Sequence, residues 1–293
     1  MRRIEQKVLA VGIVVASLGL ASCGVKASLD QAVASLGAQP TAQVHLSASA
    51  SGTGSAQVEK VLSVVSLDMS YSSTTGAALS DSAGKINSEI SVNVGSQSLA
   101  TIRLVDSNMY VMLDASALSA VPGVTISQSE IASIQLIAGG RWFELPTSLI
   151  DSYIPSSAKA QSANEAAIAR QILDDITSVI SATPYTTLPG GGYSQTGTLK
   201  SVVTALLPTI SSLSTQPVNL NSIKGTYEIA VTMSGSTATG GSIKITAPSG
   251  TGGDASIALT TTVAHAADTI TAPTGATVIT KSLLQGLLSQ ATG

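Results

Sequence analysis

The residue whose chemistry is easiest to assign is a cysteine. Leu20-Ala21-Ser22-Cys23 reads as a lipobox: an apolar residue, two small residues that fit a peptidase cleft, and a thiol that accepts a diacylglyceryl group. Arg2, Arg3 and Lys7 give the segment ahead of it a positive start, diluted by Glu5, and Val8 to Leu20 carries no charge. That run suits a signal-peptide core and falls short of the ~20 apolar residues that a bilayer span needs. The residues after Arg2-Arg3 lack the apolar pair of a twin-arginine signal. Residues 1–22 are therefore expected to be a lipoprotein leader, Cys23 the lipidated first residue, and 23–40 a tether. An uncleaved N-terminal anchor is the alternative, and it places the chain on the same side of the membrane. Cys23 is the only cysteine, so no intrachain disulfide is available. An acylated anchor gains about 0.8 kcal/mol per buried methylene, enough for durable attachment to the outer face of a cell membrane.

Other chemistry is sparse. The two histidines are His45, at an outward position of an alternating segment, and His265, past the end of another. His45 is therefore expected to face solvent, and His265 has no acidic or cysteine neighbour at metal-ligand spacing. No segment reads as a Gly-x-Ser-x-Gly nucleophile turn. Gly190-Gly191-Gly192 and the Gly250–Asp254 segment lack the strand–loop–helix context of a phosphate loop and read as turns. Asp174-Asp175 reads as a solvated pair on a helix. Charged residues make up 11% of the chain and its formal net charge is -3, so no basic patch is on offer for nucleic acid. The expectation is a protein that is not an enzyme and uses no cofactor or metal.

The elements that would carry such a protein are mostly strands. Gly24 to Pro40 holds one short helical stretch, with Ser28 and Gln31 as a capping box and Gly37 as its stop. From Gln43 the apolar period becomes two. Val44, Leu46, Ala48 and Ala50 alternate with His45, Ser47, Ser49 and Ser51; three more such segments follow around residues 65–71, 86–94 and 100–104, and then a nearly all-apolar run over 109–113. Their spacing leaves no room for crossover helices and predicts an antiparallel meander. Ser127 and Glu130 then cap a helix closed by Gly139-Gly140, and Arg141 to Leu145 is a short strand holding the only Trp and the only Phe. Ser162 and Glu165 open a helix to about Ser181, with Ile172, Ile176, Val179 and Ile180 on one face. Leu188 to Gly192 is loop. A helix over 199–207 ends at Pro208. Strands return at Tyr227–Met233, Ile243–Ala247 and Ile257–Val263, joined by hairpin loops at 234–242 and 248–254, and Lys281–Gln290 forms a last helix. Trp142, Phe143 and Tyr153 form an aromatic group that serves either as a plug between helices and sheet or as a gate over a cavity. Ala48, Ala50, Ala100, and Ala230 or its neighbours, are small residues at expected inward positions.

The run Val92 to Leu113, followed by Gly140-Arg141-Trp142-Phe143-Glu144-Leu145, resembles a theme of the LppX/LprG family of actinobacterial envelope lipoproteins. It is more distantly similar to periplasmic carriers of the LolA type. The resemblance follows element order over most of residues 41–280 and implies a curved sheet that wraps helices around a cavity for acyl chains. The combined expectation is an α+β fold: one curved antiparallel β-sheet, a half-barrel, with helices on its concave face, formed by residues 41–293. Its implied role is to bind or carry phospholipid or glycolipid as a membrane-tethered monomer. A non-catalytic structural or protein-interaction module is the other reading.

Overall fold

In the computed structural model the described residues are 35, 37–52, 55–82, 85–146, 149, 167–168, 171–172, 174–176, 178–180, 182–189, 191–213, 218–249, 252–265 and 269–283. The leader, Cys23, nearly all of the tether, the caps at Ser28 and Ser162, Tyr153 and most of the last helix lie outside them.

Twelve strands form one large, curved and unclosed sheet, and with the few helices the fold is α+β. In chain order the strands are β1 (Thr41–Gly52), β2 (Val65–Ser73), β3 (Ile86–Val94), β4 (Gln97–Val105), β5 (Asn108–Leu113), β6 (Trp142–Pro146), β7 (Thr186–Thr187), β8 (Tyr193–Thr198), β9 (Thr226–Ser234), β10 (Thr237–Pro248), β11 (Asp254–Ala264) and β12 (Thr277–Val278). Across the sheet they run β12, β6, β5, β4, β3, β2, β1, β11, β10, β9, β8, β7. Two meanders therefore meet where β1 pairs with β11 from Gln43↔Ala264 to Gly52↔Ala255.

Three expectations about the sheet need correction. The sheet is mixed, because β12 lies parallel to β6. It reaches that outer edge after the chain leaves β11 at mid-sheet and crosses the other strands, with Ser72 Oγ accepting from Ile270 N at 3.0 Å and Asn87 Nδ2 donating to Ile270 O at 2.8 Å. The strands β7, β8 and β12 have no apolar alternation of their own and were not expected. The 234–242 segment is mostly strand: only Gly235-Ser236 turns, with glycine at the first central position and φ +60, and β10 begins at Thr237.

The helices are α1 (Ala56–Leu62), α2 (Gln128–Ala138) and α3 (Leu199–Leu213), with two 3-10 turns at Leu79–Asp81 and Ala115–Ala120. The α2 capping box is complete: Glu130 N donates to Ser127 Oγ and Ser127 N to a Glu130 carboxylate oxygen. α3 runs through Pro208 rather than ending there, so tertiary packing overrides one missing backbone bond. The described residues within 167–182 are helical, and Ile172, Ile176 and Val179 are half-buried while Ile180 is buried. Ile180 packs with Tyr227 and Ile229 of β9, and Asp175 accepts from Thr209 Oγ1 at 2.9 Å, tying this helix to α3.

Alternation along each strand sorts side chains onto two faces. Register carries the sorting across the sheet: Phe143 lies beside Val111, then Ile102, Ile90, Met69, Val44 and Val263. The opposite face is mainly Ser and Thr with His45, Asp68, Glu89 and Arg103 among them. Val44, Met69, Tyr71 and Leu79 form a buried cluster on the apolar face.

Burial pushes the Tyr71 hydroxyl up to about 12. In the unfolded chain tyrosine ionises near pH 10, so above that pH the unfolded state sheds a proton that the folded state keeps. Stability should then fall from pH 10 to 12, by on the order of 2 kcal/mol for this residue. Urea unfolding should show that loss reduced in Tyr71→Phe.

Candidate functional site

The apolar face extends from β6 to β9 and is unevenly covered. On it Ile102, Ile245 and Ile257 remain 38%, 44% and 55% exposed, although each has strand neighbours of its own kind. Ile257 lies between Ala50 and Ile245, and Ile245 beside Tyr227. The small residues widen the gap: Ala48, Ala50 and Ala100 do lie on this face. Ala230 does not, since it pairs with Ser242 and Ser194 on the polar side. Between β9, β10 and β11, where Gly240 and Gly241 carry no side chains, Ile229, Ile243, Leu259 and Val263 line a cavity of about 30 Å³. That volume admits a water-sized group.

At the β8 edge the face closes over a core of Ile180, Tyr227 and Ile229, with Ile176, Tyr185, Leu199, Val202 and Ile243 packed against it. Gly197 makes this possible, because a Cβ there would stand 2.4 Å from the Tyr227 ring. Gln195, opposite Ile229, is buried and its Nε2 donates to Ile180 O at 2.6 Å. Burial, then the nearby Tyr227, pushes the Tyr185 hydroxyl up to about 12. Neither Gln195 nor Tyr185 was singled out in the sequence. Gln195 sits in a polar, glycine-containing segment, and only its pairing with Ile229 turns it inward.

The residues of the polar face are brought together differently from the sequence expectation. His45 Nδ1 lies 2.6 Å from Asp68 Oδ1, and Asn93 Nδ2 donates to Asp68 Oδ2 at 2.6 Å. The strand register makes this row, and it has no further hydrogen bond to a hydroxyl among the described residues. Ser82 and Lys85 stand at the Ser-x-x-Lys spacing of some envelope serine enzymes. Ser82 Oγ, however, is buried against Ser73 Oγ (2.7 Å) and donates to Ala78 O (2.8 Å), and Lys85 is exposed. His265 is exposed beyond β11.

Trp142 and Phe143 do not cluster. As strand neighbours they face opposite sides, Phe143 on the apolar face and Trp142 under the Arg103 guanidinium, 4.7 Å from the ring centroid. Arg103 also donates through Nε to Glu89. Trp142 further packs on the buried group of Val105, Tyr110 and Ile270, where the segment before β12 crosses. Cys23 and the lipobox residues Leu20, Ala21 and Ser22 lie outside the described residues. Among the described residues no three His, Cys, Asp or Glu side chains gather to hold a metal, and no helix is long and apolar enough to cross a membrane.

No protein-family model matches the sequence, and no curated protein matches it.

Proposed function

We propose that this chain is an exported lipoprotein, held at the extracytoplasmic face of a cell membrane by a lipid on Cys23, that binds acyl chains on its apolar sheet face. In this reading the sheet is a half-barrel whose concave side is the apolar face, with the 167–182 helix and α3 packed inside it. The observation that carries the reading is the exposure of Ile102, Ile245 and Ile257 in the middle of an otherwise aliphatic surface. Large apolar side chains left open on one continuous face mark a place where something apolar binds. An acyl chain of ~16 carbons costs on the order of 0.8 kcal/mol per methylene to hold in water, and an aliphatic sheet removes that cost without any catalytic group. The likeness to LppX/LprG-type lipoproteins points the same way. The protein acts as a monomer, without cofactor and without nucleic acid, and its ligands are phospholipid or glycolipid chosen chiefly by their chains.

Two measurements test the two halves of this proposal. Intact-mass analysis should find the mature chain starting at an acylated Cys23, and Cys23→Ser should abolish acylation and release the protein from membranes. A Cys23→Ser protein that stays membrane-bound and matures as before contradicts the anchor. Native mass spectrometry of the chain purified from its host should show near-stoichiometric lipid. Because Ile245 and Ile257 are largely exposed, Ile245→Lys with Ile257→Lys should change stability by less than about 1 kcal/mol and still lower lipid occupancy severalfold. A lipid-free chain that also takes up no fluorescent fatty acid leaves the structural or interaction module in its place.

A further inference from the structure

At one end of the apolar face two polar atoms are sunk into it. Gln195 is 2% exposed; its Nε2 is held by Ile180 O, and its Oε1 has no hydrogen-bond partner. The buried Tyr185 hydroxyl has none either. Extending the β7–β8 register (Thr186↔Ser194) by one residue sets Tyr185 opposite Gln195, and Tyr185 packs on the Ile180–Tyr227–Ile229 core. Buried polar groups are nearly always paired, so two orphans in one core, one an acceptor and one a donor, mark a place built for a partner. Among the described residues every other member of that core is uncharged: Ile176, Leu199, Val202 and Ile243 are aliphatic, and Tyr227 shares its hydroxyl with Thr183 Oγ1 at 3.4 Å.

We propose that Gln195 and Tyr185 form the polar end of the lipid site and recognise an uncharged, hydroxyl-bearing acyl ester. The Tyr185 hydroxyl donates to the ester carbonyl, and Gln195 Oε1 accepts from a ligand hydroxyl. The inference rests on the acyl-chain reading above and adds to it the class of headgroup. Among the described residues no cation stands beside a carboxylate or phosphate placed there, and burying one unpaired is far more costly than burying a paired neutral group. Burial also keeps the Tyr185 hydroxyl protonated, and so a donor, at any working pH. From Gln195 one register row leads along Ile229, Ile243, Leu259 and Ala48, past the small cavity beside Gly241. That row gives the chain of such an ester a path across four strands.

The test is competition for the full chain among three probes with the same 16-carbon chain, read by native mass spectrometry: monopalmitoylglycerol, palmitate and palmitoyl lysophosphatidylglycerol. Monopalmitoylglycerol should exceed each of the others by about tenfold: palmitate lacks the ester and hydroxyl that would make two net hydrogen bonds, and the lysophospholipid would bury its phosphate with no cation among the described residues. Tyr185→Phe and Gln195→Leu should each cut the excess over palmitate to threefold or less. Tyr185→Phe removes a hydroxyl that has no partner in the unliganded protein, so it should melt at the same temperature or higher. Equal or better binding of either anionic probe, or an excess that survives both substitutions, overturns the headgroup assignment and leaves the acyl-chain reading standing. A Tyr185→Phe protein that melts several degrees lower with its preference intact also overturns it, because the hydroxyl would then serve the fold. Failure of all three probes to bind removes both readings.

Discussion

The pairing of β1 with β11 is the constraint on which the rest of the sheet depends. It joins strands from opposite ends of the chain, and the hydroxyls of Ser51 and Ser256, 205 residues apart, meet at 2.8 Å on it. Neither meander on its own could keep both faces sorted, since a slip of one residue at this seam would turn one half's apolar side chains toward the other half's serines and threonines. In the observed register Val44 meets Val263, Ala48 meets Leu259 and Ala50 meets Ile257, so the apolar face passes through the seam, interrupted by the buried Thr261 opposite Leu46. Gly52 is what lets the seam end as it does. It takes φ +108, and a Cβ there would lie 2.1 Å from the Asp254 carbonyl oxygen.

In a chain this poor in charge, hydroxyls supply much of the polar face. Ser and Thr recur along it, and two ion pairs lie among them, His45 with Asp68 and Arg103 with Glu89. Part of that face is also covered, because the segment before β12 crosses it and buries Ser72, Asn87 and Ile270. Both sides are thus partly covered, the polar side by this strap and the apolar side by the Val44–Met69–Tyr71–Leu79 cluster and the Ile180–Tyr227–Ile229 core. The isoleucines left open between those covers, Ile102, Ile245 and Ile257, give the binding proposal its physical basis.

Much of this was legible in the sequence, and the exceptions have physical causes. Strands β1 to β4 and β9 to β11 announce themselves because apolar residues alternate with mostly hydroxyl-bearing or charged ones, which is the period-two signal in its plainest form, while β5 and β6 were legible as a nearly all-apolar run and a short aromatic segment. The α2 helix was legible from Ser127 and Glu130. The strands β7, β8 and β12 were not, because their pairing comes from neighbours rather than from their own side chains. Gln195 shows the cost of that. Nothing in Tyr193–Thr198 marks it as inward, and its role depends on Ile229 beside it and on the end of a helix above it. Trp142 and Phe143 were misread as one cluster for a related reason, since adjacent residues in a strand face opposite ways. His45 was correctly placed as outward-facing, but Asp68 as its partner follows only from the β1–β2 register.

The claim at the centre of this account is that acyl chains lie on one named face of the sheet. Photo-crosslinking with a palmitoyl probe bearing a diazirine near its methyl end reads that face directly. Peptide mapping should place the adducts on apolar-face residues such as Leu46, Ile243, Ile245, Ile257 and Leu259, and none on their strand neighbours Ser47, Lys244, Ala258 or Thr260. Adducts concentrated on the hydroxyl-bearing neighbours, or spread evenly over both faces, would contradict it.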